Sequence, residues 1–171
     1  ISIFHSIAAF NNSGFDILGG LQNLIPYQNN LLLNLTTAGL IIFGGLGFLV
    51  ILDILKKRSF RALALHSKVV IVMSAVLILL GTLLLKATEN VTWLGAFFQS
   101  VSARTAGFST YPIGSFTDAG LFVLILLMFV GASPGSTGGG IKTTTLFALL
   151  QATRSAATGR MPTAFRRTVA G

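Results

Sequence analysis

The sequence predicts an all-α polytopic membrane protein made of repeats of a helix, a re-entrant loop and a second helix. Hydrophobic residues make up 53% of the 171 positions and charged residues only 9%, with a mean hydropathy of +0.82. An ordinary soluble domain carries roughly 25% charged residues, so this composition excludes a soluble globular domain. The absence of cysteine further excludes a disulfide framework, a thiol nucleophile and Cys-ligated zinc.

Two uncharged stretches are long enough to cross a membrane. Residues 31–52 would extend about 33 Å as a helix, which covers a hydrocarbon core of about 30 Å. Residues 69–85 would extend about 25 Å, and Lys68 and Lys86 at their ends can place their ammonium groups in the interfaces. Each stretch is therefore predicted to form one membrane span.

A third apolar stretch is too short to cross as one helix. Residues 119–131 would extend about 20 Å, and they stop at a run rich in Gly, Ser and Pro over residues 132–140. A helix-like pattern resumes over residues 146–150. The sequence therefore predicts a broken helix whose middle is an irregular segment at membrane depth.

The net charge of +8 comes mainly from two basic segments on the same side of these spans. By the positive-inside rule that side is cytoplasmic, which gives a consistent topology. A nucleic-acid-binding module needs its basic residues on one solvated face, so nucleic acid is not expected as a partner. Nine of the 12 basic residues are predicted to be cytoplasmic: Lys56, Lys57, Arg58, Arg61, Lys68, Arg154, Arg160, Arg166 and Arg167.

Two outer segments, residues 1–15 and 90–108, are each too short to cross and end in a polar tract followed by Gly-Phe. This pattern indicates a helix that enters the membrane and returns as extended backbone. Such backbone is stable there only where protein or a water-filled cavity satisfies its amides, so a pore is implied. An offset of 93 residues relates the segments and pairs Gly14 with Gly107, Phe15 with Phe108, Gly45 with Gly138 and Gly47 with Gly140.

The polar tracts are candidate cation ligands. A helix C-terminus carries partial negative charge, and successive carbonyl oxygens beyond it can replace the water shell of a cation. Glycine in the tract permits backbone angles that other residues avoid. An interfacial turn is the alternative interpretation. The candidate filter residues are Asn11, Asn12, Ser13, Gly14, Thr105, Ala106 and Gly107.

Arg104 adjoins the second tract, where a guanidinium aimed at the ion path would repel a cation. It is therefore expected to point away from the path and to be paired. Asp16, Glu89 and Asp118 are predicted to lie on the outer side. Any of these acids is a candidate partner for Arg104, and a solvated loop charge is the alternative for each.

The irregular segment of the broken helix is a candidate gate, because it lacks a continuous helical ladder and is flexible enough to lie across a cavity below the filter. Lys142 beside it is an ionisable residue at membrane depth, which is a functional hypothesis by default; the alternative is a kink with Lys142 at the cytoplasmic interface. Gly44, Gly45 and Gly47 are predicted to serve close helix packing. The candidate gate residues are Ala132, Ser133, Pro134, Gly135, Ser136, Thr137, Gly138, Gly139, Gly140 and Lys142.

Two segments match catalytic motifs but lack the other residues that those motifs require, so the chain is not predicted to be an enzyme. Residues 131–135 match G-x-S-x-G, but no Asp, Glu or His follows Ser133, as a serine hydrolase requires. The P-loop pattern after Gly135 is interrupted by Ile141. A secondary transporter whose broken helix binds an anionic solute beside Lys142 is the alternative function.

Three tracts together resemble the Ktr/Trk/HKT superfamily of potassium transporters: Phe10–Asp16, Ser102–Phe108 and Gly131–Thr145. The last tract looks most like the KtrB-type membrane subunit of bacteria. The resemblance implies four repeats around a pseudo-fourfold pore, each supplying one quarter of the filter. It divides the chain into the end of the second repeat (1–55), a cytoplasmic basic loop (56–68), the third repeat (69–153) and a cytoplasmic segment (154–171).

The resemblance also implies a function and an assembly. The expected function is translocation of K+, with Na+ sometimes involved, through main-chain carbonyls across the plasma membrane, here a bacterial inner membrane. The tract 132–140 matches the intramembrane gating loop of the family. A homodimer on a ring of KtrA-type regulatory subunits is implied, with nucleotide on those subunits and no cofactor in this chain. Two filter quarters cannot close a four-quarter ring, so this fragment is not expected to conduct alone.

Overall fold

The computed structural model describes residues 1–19 and 22–159, together with the backbone of 163–164 and 167–168. Single 3-10 turns occupy Ile25–Tyr27, Phe60–Ala62 and Ile113–Ser115. Thr163–Ala164 (β1) pairs antiparallel with Arg167–Thr168 (β2). The predicted all-α class is confirmed apart from this pairing. The helices are α1 (Ser2–Phe10), α2 (Leu31–Leu46), α3 (Phe48–Lys57), α4 (Leu65–Thr88), α5 (Trp93–Thr105), α6 (Asp118–Phe129) and α7 (Thr143–Thr158).

Side chains at the N-terminal boundaries of three helices explain where those helices begin. Each supplies an oxygen to a main-chain N–H that has no partner within the helix, which typically stabilises the helix by about 1 kcal/mol. Asn30 accepts from Leu33 at the start of α2, Thr92 from Gly95 at the start of α5, and Thr117 from Gly120 at the start of α6.

Helix α4 is the longest apolar helix in the described residues and the one that is long enough by itself to cross a membrane. It has 24 residues and extends beyond the predicted span 69–85 at both ends. Its buried stripe includes small residues that let other helices approach closely. A Cβ on Gly81 would lie only 2.4 Å from the hydroxyl of Ser100 on α5 and 2.9 Å from Leu127 on α6. Helices α5 and α6 therefore pack directly onto α4.

Residues 31–52 do not form the single straight helix that their hydropathy predicts. Helix α2 ends at Leu46, and α3 continues at an angle of 97° to it. Gly47 joins the two helices with a φ of +88°, and a Cβ there would lie 2.8 Å from the carbonyl oxygen of Pro134. The bend is therefore set by a distant segment packed against the break, which hydropathy does not report.

The chain between α6 and α7 forms an extended loop of residues 130–142, called the closing loop below. Its two ends are held together by main-chain hydrogen bonds. The N–H of Gly131 donates to the Ile141 oxygen at 3.1 Å, and the N–H of Ile141 donates to the Phe129 oxygen at 3.2 Å. The helical backbone resumes at Thr143 and runs past the predicted boundary at residue 153 to Thr158.

Two buried apolar clusters join the helices, and large apolar side chains cover much of the outer surface. Phe98 and Phe108 lie in one cluster with residues of α1, α2 and α4, and Leu85 and Leu124 lie in the other. Leu79, Leu83, Phe122 and Ile125 are among many exposed apolar residues of α4 and α6. An apolar exterior of this extent suits lipid rather than water as the surrounding medium.

Some of the basic residues that are predicted to be cytoplasmic lie in the described part of the chain. Asp53 pairs with Lys57 at 2.8 Å and also accepts from the N–H of Ala64 at 2.8 Å, which ties α3 to the start of α4. Arg154 lies on α7. Arg160 and Arg166, which were predicted to be cytoplasmic, lie outside the described residues.

Candidate functional site

The two tracts predicted to bind ions lie directly against each other. A Cβ built on Gly14 would stand 2.1 Å from the carbonyl oxygen of Ala106. Gly14 has a φ of +70° and Gly107 a φ of +84°, so two residues 93 positions apart share a backbone conformation that favours glycine. Space and angle both require glycine at position 14, whereas at position 107 the requirement comes from the angle.

Hydrogen bonds from beyond the helix ends fix the start of each tract. The N–H and the hydroxyl of Ser13 both donate to the oxygen of Ala8, at 3.0 and 3.1 Å. The N–H groups of Ala106 and Gly107 both donate to the oxygen of Ser102, at 2.9 and 3.0 Å. Each tract therefore leaves the C-terminal end of its helix, the end that carries partial negative charge.

Asn11 and Asn12 use their side chains in different ways. The Asn11 amide is exposed and donates to the oxygen of Ile7 at 2.9 Å, so it closes the last turn of α1. The Asn12 amide is buried, with 7% of the residue exposed. Its Oδ1 accepts from the hydroxyl of Thr105 at 2.9 Å, and its Nδ2 donates to the hydroxyl of Thr137 at 2.8 Å.

Asn12 was predicted only as a main-chain ligand, and these side-chain contacts were missed. One signal was present, because Asn12 and Thr105 are themselves 93 positions apart and so occupy equivalent places in the two predicted repeats. Equivalent residues of neighbouring repeats around one axis are expected to approach each other. The third partner, Thr137, carries no comparable signal.

The closing loop packs onto the break between α2 and α3. The last carbonyl groups of a helix have no intrahelical donor. Here the N–H of Ser133 donates to the oxygen of Gly45 at 3.1 Å, and the N–H of Thr137 donates to the oxygen of Gly44 at 3.3 Å. Across the break, the N–H of Phe48 donates to the oxygen of Gly135 at 3.2 Å.

Of the glycines of the first span, Gly44 serves the close helix packing that the sequence predicts, whereas Gly45 and Gly47 contact the closing loop instead. A Cβ on Gly44 would lie 1.9 Å from the carbonyl oxygen of Phe10, and one on Gly47 would meet the closing loop. Gly45 accepts a hydrogen bond from that loop. Close approach is required, but the partners are the end of α1 and the closing loop.

Glycines inside the closing loop allow it to fold on itself and to touch the second tract. A Cβ on Gly131 would lie 1.8 Å from the oxygen of Gly139. One on Gly138 would lie 2.6 Å from the methyl carbon of Thr105 and 2.6 Å from that of Ala132. The loop is thus in van der Waals contact with a residue predicted to line the filter.

Lys142 is held by the loop itself. Its Nζ donates to the carbonyl oxygen of Gly138 at 2.8 Å, and the group is partly buried. This hydrogen bond joins the C-terminal end of the loop to its middle. Ser133, the residue of the G-x-S-x-G match, is fully buried, and its hydroxyl lies 3.1 Å from that of Thr143.

Arg104 is paired, as expected, but with a carbonyl rather than an acid. Its Nη2 donates to the oxygen of Gly131 at 2.9 Å. Of the predicted acidic partners, Glu89 accepts from the N–H and hydroxyl of Thr117 at 2.8 and 2.7 Å, and Asp16 accepts from Leu18 at 3.1 Å. The Arg104 Nε is buried without a partner among the described residues, and the side chain lines a cavity of about 20 Å³, which has room for about one water.

His5 links α1 to the residues behind the second tract. Its Nε2 lies 3.0 Å from the hydroxyl of Thr37 on α2, and its ring centroid lies 5.0 Å from that of Phe108. Phe108 is 2% exposed and follows Gly107 directly. The histidine therefore packs behind the tract that is predicted to bind ions, a contact that a lone histidine in the sequence does not reveal.

Comparison with known proteins gives consistent matches. The TrkH family, described as "Cation transport protein", matches residues 1–88 and 67–163. The Ktr system potassium uptake protein B of Vibrio alginolyticus is 41% identical over 89% of this chain and 36% of its own length. The potassium/sodium uptake protein NtpJ of Enterococcus hirae is 40% identical over 87% of this chain and 35% of its own length.

Two further matches extend over nearly the whole chain. The Ktr system potassium uptake protein B of Bacillus subtilis is 35% identical over 98% of this chain and 40% of its own length. The crystal structure of the potassium transporter TrkH from Vibrio parahaemolyticus matches with a TM-score of 0.73 at 23% identity, covering 99% of this chain and 38% of that one. This structural match concerns the fold. The chain spans between 35% and 40% of the length of these three sequence relatives.

Proposed function

The chain belongs to the TrkH family of cation transport proteins, and from this premise we propose that it forms part of the potassium pathway of a membrane subunit. Its relatives are ion transporters and not enzymes. The family consists of membrane cation transporters, which agrees with the apolar exterior of the helices. The proposal concerns the part of the pathway that these residues supply.

The proposed filter is built from main-chain carbonyls of the two tracts, Asn11–Gly14 and Thr105–Gly107. Carbonyl oxygens replace the water shell of K+, and the ends of α1 and α5 each add a partial charge of about −0.5 near the ion. The two tracts supply two quarters of a four-quarter ring. The single observation that carries this proposal is the contact between Gly14 and Ala106, with matched positive φ angles at Gly14 and Gly107.

The proposed gate is the closing loop, residues 130–142. Three main-chain hydrogen bonds attach it to the break between α2 and α3. With a net contribution of about 0.5–1.5 kcal/mol each, they favour the closed position by roughly 1.5–4.5 kcal/mol. A preference of this size keeps the open state in the minority, and a regulatory partner is able to reverse it.

The proposed assembly follows from the family resemblance. We infer a homodimer of membrane subunits in a bacterial inner membrane, carried on KtrA-type regulatory subunits that bind the nucleotide. K+ is the transported ion, and Na+ is proposed as a second ion because one relative is named a potassium/sodium uptake protein. No cofactor is assigned to this chain.

The alternative, a carrier for an anionic solute, lacks a supporting observation. It depends on an ammonium group at Lys142 directed at a solute, whereas one of the three donors of that group bonds the oxygen of Gly138 in the same loop. The carbonyl groups of the two tracts also favour a cation over an anion. Potassium translocation is therefore the function that the geometry supports best.

Growth and uptake assays test the proposed function. The full-length transporter that carries these residues is expressed in a host that lacks potassium uptake systems. We expect growth at low external K+ and uptake of 86Rb+ as a potassium tracer, with no requirement for an anionic co-solute. Absence of both, in a protein shown to be inserted in the membrane, would contradict the proposal.

A further inference from the structure

Three parts of the chain that are far apart in sequence meet at the side chain of Asn12. The residue lies within the first tract and has a φ of +53°, a conformation that asparagine tolerates better than most residues. Thr105 lies at the end of α5 and Thr137 lies in the closing loop. The amide contacts one hydroxyl with each of its two polar atoms, at 2.9 and 2.8 Å.

The hydrogen bonds among Thr105, Asn12 and Thr137 have a single consistent set of donors and acceptors. The Thr105 hydroxyl donates to the Asn12 oxygen, so the Asn12 NH2 faces Thr137. The Thr137 hydroxyl accepts that bond and has a single proton of its own, which it donates to the carbonyl oxygen of Phe10 at 3.0 Å. Rotating the amide by half a turn would place the Asn12 oxygen against Thr137 and would take the Thr137 proton from Phe10.

A second contact joins the same elements without hydrogen bonds. Gly138 lies so close to Thr105 that an added Cβ would be 2.6 Å from the threonine methyl carbon. In the loop, Thr137 therefore contacts the amide of Asn12, and the neighbouring Gly138 contacts the methyl carbon of Thr105. A displacement of the loop removes the hydrogen-bond partner of the Asn12 NH2 and the packing partner of Thr105 together.

We propose that Asn12 is a positioning residue that couples the closing loop to the filter, an inference that rests on the proposed function. With the loop in place, Thr137 fixes the amide, and the amide fixes Thr105 at the start of the second tract. When the loop leaves, a buried NH2 group loses its partner and Thr105 loses its alignment. Since coupling is reciprocal, a filter occupied by its preferred ion also stabilises the closed loop.

The coupling predicts a change in ion discrimination from a substitution in the loop. Thr137→Val keeps the shape of the side chain and removes the hydroxyl. Thr137 is exposed in the described chain, so the substitution is not expected to prevent folding. In the full-length transporter reconstituted in vesicles, we expect unregulated K+ flux to rise and the K+/Na+ flux ratio to fall, each by about three- to ten-fold, the population change that one hydrogen bond produces.

Two matched variants control this measurement. Thr137→Ser retains the hydroxyl and is expected to keep both the flux and the flux ratio within about two-fold of the unmodified protein. Thr88→Val removes an exposed hydroxyl that bonds only within α4, to the oxygen of Leu84 at 2.9 Å, and is expected to change neither quantity. If both controls behave in this way, the effect of Thr137→Val is due to the loss of the hydroxyl that hydrogen-bonds with Asn12.

A double-mutant cycle tests whether the effect passes through Asn12. Thr137→Val and Asn12→Ala are each expected to lower the flux ratio, and the double variant is expected to lower it no further than the larger single effect. Additive effects would overturn the proposal. A rise in flux with an unchanged K+/Na+ ratio in Thr137→Val would also overturn it, since the loop would then gate independently of the filter.

A labelling experiment tests the same coupling by reporting the position of the loop directly. Ser133 is fully buried with the loop in place, so Ser133→Cys places a thiol on the loop that a reagent reaches only after the loop has moved. We expect a membrane-impermeant methanethiosulfonate reagent to react more slowly in K+ than in Na+, and Asn12→Ala to abolish this difference. Equal rates in both ions would contradict the coupling.

The outcomes separate this proposal from the proposed function. If the filter assignment fails, Gly107→Ser leaves the ion preference unchanged and the tracer assay shows no K+ uptake. If only the coupling fails, Gly107→Ser still alters the preference while Thr137→Val and the labelling rate do not respond as described.

Discussion

The guanidinium Nη2 of Arg104 lies 2.9 Å from the carbonyl oxygen of Gly131, so the last turn of α5 is tied to the first residues of the closing loop. This contact holds the positive charge at a main-chain oxygen. The closing loop is thus attached on one side to the break at Gly47 and on the other to the helix that bears the second tract. The positive charge of Arg104 therefore helps to hold the loop against α5.

Arg104→Lys is expected to lower the thermal stability of the full-length protein. Lysine lacks the planar guanidinium and cannot keep the same geometry at a buried oxygen, and a hydrogen bond from a charged group contributes about 1.5–3 kcal/mol. The measurement is the unfolding midpoint in detergent by fluorescence-detected size exclusion. Arg154→Lys on the exposed side of α7 is the control and is expected to change stability by no more than about 0.5 kcal/mol. Equal midpoints for the two variants would contradict the role of Arg104.

Gly107→Ser is expected to weaken discrimination of K+ from Na+. No described atom lies within 4 Å of a Cβ at this position, so the effect comes from the φ of +84° and not from a clash within these residues. A serine relaxes toward negative φ and turns the adjacent carbonyls. The measurement is the ratio of K+ to Na+ uptake in cells. Gly114→Ser, with similar free space and no positive φ, should leave this ratio unchanged.

Gly14→Ala separates backbone strain from steric overlap when it is compared with Gly19→Ala. Both glycines have positive φ, so each alanine costs roughly 1–2 kcal/mol in conformational energy. Only Gly14 also meets the Ala106 oxygen, which adds about 1–3 kcal/mol of overpacking. The unfolding midpoint and the yield of membrane-inserted protein are measured for both variants. Similar losses for the two would argue against contact between the tracts.

Gly138→Ala is expected to raise unregulated flux, because its Cβ would displace the closing loop from Thr105 and Ala132. Adding Ala132→Gly and Thr105→Ser removes both methyl carbons and should restore low flux. Gly139→Ala, which meets no described atom within 4 Å, is the control. Flux is measured in vesicles without regulatory subunits. Unchanged flux in a folded Gly138→Ala protein would show that the loop is not the gate.

Shortening the loop between Gly135 and Gly140 is also expected to raise unregulated flux. A shorter loop cannot reach both Gly44 and the base of α7, so it loses the hydrogen bonds that favour the closed position. Unregulated flux should therefore rise in the inserted, folded protein. Equal or lower flux would be inconsistent with a gate at this position.

The sequence predicted the features that depend on local composition. The absence of charge marked α4, and the run of Gly, Ser and Pro after Phe129 marked the end of α6. The bend at Gly47 was not predictable in this way, because nothing local distinguishes Gly47 from Gly39, which lies inside a regular helix. Its conformation depends on the closing loop, which is distant in the chain.

The candidate site shows the same division. The offset of 93 residues alone pairs Gly14 with Gly107, and both glycines have a positive φ, as equivalent positions of the predicted repeats would. The side-chain roles of Asn12, Thr137 and His5 were missed, since each depends on which polar groups tertiary packing leaves without a partner. The partner of Arg104 was missed for a related reason: a main-chain carbonyl is present at every residue and gives no signal in the sequence.

The carbonyl groups of Gly44 and Gly45 at the end of α2 have a consequence for the opened state. In this structure the N–H groups of Thr137 and Ser133 donate to them. If the closing loop is the proposed gate, its departure leaves these oxygens without their described donors, so water or the permeating ion must bind them. Under this proposal, wetting of the pathway and departure of the loop are one event, and the N–H groups of the loop compete with ions for the same oxygen atoms.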